Sequence, residues 1–434
     1  MEYITDLRRC KEVFLVSREN VEYNEEKRQV KCMKIGIIGG GASGMAAALA
    51  AVQTGNEVVL FERQARVGRK LLATGNGRCN LTNTKLDLSN YHGNDSAFAQ
   101  NALRVFSVEK TLDWFRSLGL YTVTEPSGRV YPYSDQANSV VDVLRFALQR
   151  EKVEVLTDFE VTKARKTNDG FLVESRDRQI LCDRLIIACG GLAGTKLGGT
   201  MSGYQLLRGF GHHATKLRPA LVQIKSSWQG CASLKGVRAN CHAAIYHNNE
   251  RYCESTGELQ FTQYGLSGPV IFEISRDVCQ SGGSWVCKLD FLPDIPADQL
   301  ESILQSRRNP DLPVEDFLTG ILHNRLGRVL IQAAQIRGNR PASELTNLEI
   351  HDLCEVIKGF DVPLTETLGM DSAQVTAGGI LTSEFNPETM ESRLIPGLYA
   401  CGEVLDIDGD CGGYNLQWAW SSGALAGTNA GGCV

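Results

Sequence analysis

Lys34-Ile35-Gly36-Ile37-Ile38-Gly39-Gly40-Gly41-Ala42-Ser43-Gly44-Met45 is the stretch that decides the fold. Residues 34–38 have the composition of a buried parallel strand. Residues 39–44 form a glycine turn, residues 46–52 an Ala-rich helix and residues 57–61 a second strand, which makes a β-α-β unit. The turn fits G-x-G-x-x-G. Gly39 permits the tight turn, Gly41 lets backbone approach a pyrophosphate, and Gly44 lets the helix pack on the sheet. The helix N-terminus then faces the phosphates with its partial positive charge. Glu62 stands 18 residues beyond Gly44, at the end of the second strand, placed to accept hydrogen bonds from ribose hydroxyls and to repel a 2'-phosphate.

The far end of the chain chooses between dinucleotides. Leu398-Tyr399-Ala400-Cys401-Gly402-Glu403 reads as a late strand running into Gly-Glu, followed by Asp406, Asp408, Gly412, Gly413 and Tyr414 and a helix over 415–430. A late return to the sheet suits FAD, whose flavin edge a helix N-terminus stabilises. A simple NAD dehydrogenase does not need it. Residues 185–191 repeat the strand-then-glycine theme without a second nucleotide fingerprint. A nicotinamide reductant is therefore expected to bind transiently. Between these, Gly68 to Asn83 is Gly-rich and dense in donors, suited to wrap a pyrophosphate and a flavin ring.

Outward from these motifs, residues 98–120 and 138–150 read as helices and residues 153–187 as short strands. Residues 217–292 have the punctuated pattern of a β-barrel or sandwich. Residues 297–358 read as helices, and residues 375–380 and 398–401 as buried parallel strands. The expected fold class is α/β. A Rossmann-like, glutathione-reductase-type FAD-binding domain is built from both chain ends (33–205 and 373–434). An inserted β-barrel-like substrate domain (206–296 and 359–372) carries a small helical insert (297–358).

Residues 1–32 hold seven acidic and seven basic residues and read as an N-terminal extension, with Met33 favoured as the natural start. At about 150 residues per domain, 434 residues suit two or three domains. A net charge of −5 gives no bulk attraction to nucleic acid or anionic membrane. No apolar run approaches the ~18 residues of a membrane span. Fourteen cysteines without C-x-x-C spacing suggest reduced thiols in a cytoplasmic protein, not a zinc or dithiol site. No metal cluster or Ser-His-Asp arrangement is expected.

Several segments together resemble bacterial flavoproteins of the BaiN/RdsA type, which include aminoacetone-oxidase-like proteins. They are Gly39–Gly44, the Gly68–Asn83 loop and Gly128-Arg129-Val130-Tyr131-Pro132. Gly257-Glu258-Leu259 with Gly265–Pro269, and Gly402–Gly409 with Gly412-Gly413-Tyr414-Asn415-Leu416-Gln417, complete the set. The likeness covers roughly residues 33–430. It implies non-covalent FAD, a barrel-like middle domain and a helical insert.

The residues expected at the cofactor are Gly39, Gly41, Ala42, Ser43, Gly44, Glu62, Arg63, Arg69, Lys70, Gly75, Asn76, Arg78, Cys79, Val161, Ala188, Gly190, Gly402, Glu403, Asp406, Gly413, Tyr414, Asn415 and Leu416. Tyr414, Tyr133 and Arg78 are the catalytic candidates, with Tyr131 a further tyrosine in a motif segment. The seven histidines lie outside the flavin motifs, which disfavours a His base.

The resemblance implies an FAD-dependent oxidoreductase taking hydride from NAD(P)H and delivering it from flavin N5 to the β-carbon of a conjugated ketone. The ketone is a small molecule, a 3-oxo steroid or bile-acid-like compound. The alternatives are an oxygen-using aminoketone oxidase and a flavin-bearing or RNA-associated binding protein without fast turnover. Oligomeric state is not legible.

Overall fold

The computed structural model describes residues 32–432. Apart from Cys32, the extension read over residues 1–32 lies outside the described residues.

Five parallel strands form the central sheet. Their spatial order is Leu398–Ala400, Arg184–Ile187, Lys34–Ile38, Glu57–Phe61, Glu154–Leu156. Ile37 sits opposite Ile186 on one side and Leu60 on the other, and all three are fully buried. These strands are apolar throughout because both faces of a parallel sheet are covered. The late strand Leu398–Ala400 completes the sheet, so both chain ends build it.

The first helix, Ala42–Val52, packs against the last, Tyr414–Gly431. A Cβ on Gly423 would come 2.3 Å from the Ser43 carbonyl oxygen, and one on Gly427 2.2 Å from that of Ala47. Glycines four residues apart lie on one helix face, and their missing side chains let the two backbones touch.

The remaining strands build a second body. Six close into a barrel in the order Ile224–Ser226, Gly265–Ser267, Glu250–Phe261, Arg238–His247, Trp285–Asp290, Phe360–Thr367. Helices Ala297–Ser306, Asn324–Ala333 and Asn347–Lys358 lie between its last two strands in the chain. They share the barrel's core, where Phe261 and Leu289 meet Leu330 and Leu353.

Some local expectations are corrected. Residues 98–120 form two helices, Ala99–Val105 and Val108–Ser117, because Ser107 caps the second by accepting the Lys110 N–H. The strand expected near residues 160–165 runs Lys163–Thr167, and Gln179–Cys182 adds an edge to its antiparallel sheet. Val375–Ala377 does not join the parallel sheet. It pairs antiparallel with Arg218–Ala220. A short, fully buried apolar run carries no sign of its partner's direction.

Candidate active site

A cavity of about 690 Å³ opens where the carboxyl ends of the parallel strands meet the barrel. Ile38, Phe61 and Ala188 line it from the sheet, and Arg238, Gln260 and Ser267 from the barrel. That volume lies within the roughly 300–1,000 Å³ of small-molecule and cofactor sites.

The glycine turn behaves as its pattern requires. Gly39 has φ +111°, and a Cβ there would strike the Ala188 carbonyl oxygen at 2.4 Å. A Cβ on Gly44 would lie 1.8 Å from the Gly39 carbonyl oxygen. A Cβ on Gly41 would meet nothing within 4 Å, and Gly41 lines the cavity. The open space is thus on the cavity side.

Two helix N-termini converge on this space. Gly41 precedes the helix Ala42–Val52 and Gly413 precedes Tyr414–Gly431, and no side chain caps either one. Thr346, by contrast, caps its helix with a full capping box. First-turn N–H groups have no intrahelical acceptor, so both turns hold free donors for anionic oxygens. Ala42, Ser43, Asn415 and Leu416 all line the cavity.

Glu62 lines the cavity at the end of the second strand. Its Oε2 accepts the Gly40 N–H at 2.8 Å and its Oε1 the Gln64 N–H at 2.7 Å. Burial pushes its carboxyl up, and these two donors oppose the shift. Each carboxylate oxygen keeps a lone pair free for a ribose hydroxyl. Arg63 donates to the Gly198 carbonyl at 3.0 Å and Arg69 to Gln64 at 2.6 Å. Val161 and Gly190 also line the cavity.

Lys70 and Glu403 pair across the cavity wall at 2.9 Å, and Glu403 also accepts the Thr376 N–H at 2.9 Å. The Gly68–Asn83 loop is fastened to the last helix by buried bonds. Thr82 Oγ1 donates to Gln417 at 2.6 Å, the Trp420 indole to the Leu81 carbonyl at 3.0 Å, and Asn83 to the Gly412 carbonyl at 3.0 Å. Gly75 and Asn76 are thereby held at the cavity.

Other expected residues fall elsewhere. Gly44 and Gly402 serve packing; a Cβ on Gly402 would lie 2.5 Å from the Ser43 hydroxyl oxygen. Cys79 is fully buried off the cavity, its thiol pushed up to about 12 by burial. Asp406 is buried, where it accepts the Asn94 N–H at 3.3 Å. Its neighbour Asp408 takes a bidentate pair from Arg276 at 2.9 and 3.0 Å, joining the last segment to the barrel body.

The catalytic candidates divide. Arg78 lines the cavity, ion-paired to Asp135 and, at 3.1 Å, to Glu125, with its guanidinium 3.9 Å above the Tyr131 ring. Tyr133 is 77% exposed and does not line the cavity, since the strand Arg129–Pro132 ends just before it. The Tyr414 ring also does not line it and instead packs edge-on against Tyr91 at 6.3 Å. Its helical turn presents backbone, not that ring, to the cavity. Tyr131 does line it, as do Arg129, Cys189 and Cys411.

The barrel motifs Gly257-Glu258-Leu259 and Gly265–Pro269 place Glu258, Ser267, Gly268 and Pro269 on the cavity, but Arg238, Gln260 and Phe272 were missed, because no spacing rule links those elements to the glycine turns. Two histidine contacts were also missed. His92 pairs with Asp410, a cavity residue, at 2.7 Å, and that bond raises its pKa. Ser392, His212 and Glu384 stand in triad-like contact at 3.0 and 2.8 Å. Ser392 Oγ also accepts the Leu394 and Ile395 N–H groups and is buried away from the cavity, so the cluster staples a loop. Among the described residues no group of side chains suits a metal ion, and no helix is long and apolar enough to cross a membrane.

A Rossmann sheet, a glycine turn over open space, a carboxylate at the end of the second strand and a second uncapped helix define a Rossmann-type FAD-binding oxidoreductase, and the residues present fit FAD. The chain belongs to the HI0933-like family, whose description, HI0933-like protein Rossmann domain, matches residues 33–429. It is 43% identical over 404 residues to the 3-dehydro-bile acid delta(4,6)-reductase of Clostridium scindens, covering 92% of this chain and 98% of that protein. It is 34% identical to the ribosomal RNA dihydrouridine synthase of Escherichia coli, covering 89% and 95%. The solved 3-ketosteroid-delta4-(5alpha)-dehydrogenase of Rhodococcus jostii aligns over 92% of this chain and 97% of its own, at 14% identity and a TM-score of 0.47.

Proposed function

We propose that the protein reduces a carbon–carbon double bond conjugated to a ketone in a small 3-oxo steroid or bile-acid-like substrate, with NAD(P)H as transient reductant. The observation that carries this reading is the shape of the cavity. It continues past the cofactor turns onto the barrel, where Gln260, Ser267 and Phe272 line the same space. Such a mixed wall suits a largely apolar molecule with few polar groups.

The relatives support the reaction class. The first is named for reducing bile-acid double bonds. The second is named for making dihydrouridine, which is uridine with a double bond conjugated to a carbonyl saturated. Both names describe one kind of chemistry.

Bound FAD would supply hydride transfer at its N5 position. The chain does the rest. The free N–H groups of Ala42 and Ser43 hold the pyrophosphate, and Glu62 holds the ribose. The free N–H groups of Asn415 and Leu416 stabilise negative charge at the flavin edge. The Lys70–Glu403 pair fixes the loop and the late strand around the ring.

Anaerobic titration with NADH and then NADPH, followed by enones, tests the reading. Bleaching of the flavin band near stoichiometric cofactor and its return with a 3-oxo-Δ4 steroid are expected. Amine-dependent peroxide formation without enone turnover would replace this reading with the aminoketone oxidase. Uridine in RNA is the second acceptor to test, and the 34% relative favours it. The net charge of −5 favours the small molecule. Return of the flavin band with uridine-containing RNA and with no steroid would select the RNA.

A further inference from the structure

The cations lining the cavity are mostly spoken for. Lys70 pairs with Glu403, Arg78 with Asp135 and Glu125, and Arg238 with Glu258 at 3.5 Å. Arg63 and Arg69 are hydrogen-bonded, and Arg66 is exposed. Arg129 differs. It is half-buried, lines the cavity, and its guanidinium makes no ion pair or hydrogen bond among the described residues. Glu273 acts on it only at longer range.

Tyr131 stands two residues on in the same strand, Arg129–Pro132, so both side chains leave one face. It is buried and lines the same cavity, and its hydroxyl has no hydrogen-bond partner among the described residues. Val130 between them points into the opposite wall, fully buried. Cross-strand bonds to Thr82 and to Thr122–Thr124 hold the strand on both sides. A Cβ on Gly412 would come 3.7 Å from Arg129 Nε, which places the guanidinium beside the turn that opens the last helix. A half-buried cation and a hydroxyl on a buried ring, both without protein partners and both lining one space, leave their donors to a ligand.

Resting on the proposed reduction, we infer that Arg129 and Tyr131 are the catalytic residues that receive the conjugated carbonyl. Arg129 binds the ketone oxygen and Tyr131 is the proton donor. Bound FAD would supply the hydride for the β-carbon; as the double-bond pair moves toward oxygen, Arg129 would hold the enolate charge. The enolate collapses as its α-carbon takes the Tyr131 proton. Solvent then returns a proton to the phenolate. One hydride at the β-carbon and one proton from Tyr131 at the α-carbon thus saturate the bond, and the ketone is restored. Arg78, stacked on the Tyr131 ring, positions it.

The test uses FAD-loaded protein and two probes, 3-oxochol-4-en-24-oic acid and androst-4-ene-3,17-dione. Only the first carries a carboxylate. Binding to the oxidised protein is read from the flavin spectrum without turnover, and reoxidation of the reduced protein is read by stopped flow. Arg129→Gln is expected to weaken both probes about tenfold or more, the scale of a hydrogen bond to a charged group. Arg129→Lys, which keeps the charge, should restore part of the loss.

Tyr131→Phe is expected to leave binding within a few-fold and to slow reoxidation about 100-fold or more, the scale of a general acid. FAD content and the rate of flavin reduction by the nicotinamide should hold in all three variants. Loss confined to the bile acid would overturn the ketone assignment, because Arg129 would then hold the carboxylate. Unchanged reoxidation in Tyr131→Phe would overturn the donor assignment. Failure of the wild-type protein to be reoxidised by either probe would strike the proposed function instead.

Discussion

At the residue scale, three glycines of one motif do three different things. Gly39 and Gly44 exclude side chains because backbone lies at 2.4 and 1.8 Å, whereas Gly41 faces open space. Gly41→Val is therefore expected to leave the thermal stability of the cofactor-free protein unchanged and to weaken FAD binding at least tenfold, read by flavin fluorescence. Gly44→Ala is expected to destabilise the fold itself by at least about 1–3 kcal/mol, as overpacking does, read by denaturant unfolding. Equal effects of the two would contradict this division. Glu62 was legible at this scale because an acid at the end of the second strand follows from the motif. Tyr131 was legible only as one tyrosine among three. Choosing it over Tyr133 and Tyr414 needed the end of a strand at Pro132 and the turn at Gly413, whose φ is +103°.

At the scale of elements, the last helix is the joint that holds the site together. Gln417, fully buried within it, accepts from Thr82 and donates to Thr111, Ser421 and the Phe106 carbonyl. Gln417→Leu keeps the volume and leaves these groups without partners. At roughly 1–3 kcal/mol per orphaned buried group, a loss of about 3 kcal/mol is expected in denaturant unfolding; a loss under about 1 kcal/mol would contradict the hub. The loop stapled by His212 gives a pH signature. Burial lowers the His212 pKa, against the pull of Glu384, so the folded protein holds it neutral. Unfolding then takes up a proton below the unfolded value of about 6.5. The contribution of His212 is whole above that pH and is lost as pH falls below it. Stability is expected to drop between pH 7.5 and 5.5, and by less in His212→Gln. Identical slopes in the two proteins would rule His212 out. None of this network was legible in the sequence, because its members are 172 and 180 residues apart.

At the scale of the whole molecule, the cavity exists only because the barrel sits against the sheet. Arg276 and Asp408 join the two bodies, and Asp408 is 2% exposed. Arg276→Met strands a buried carboxylate and is expected to cost about 3–5 kcal/mol, while Arg276→Met with Asp408→Leu should cost clearly less. Denaturant unfolding of the two variants checks this, and equal losses would show that the charge is not the cause. The nucleotide-binding half was legible from the residues alone. Strand composition, glycine spacing and an acid at a set distance are local constraints, and local constraints leave periodic marks. Changes of texture also marked the barrel region and the helical insert. Which residues share the cavity wall came from packing between distant segments. Arg129 and Tyr131 are brought to the same cavity as Gln260 and Phe272 by a pairing of distant strands and by the docking of two cores. Such contacts depend on register and packing between segments far apart in the chain, and neither leaves a pattern within any one of them.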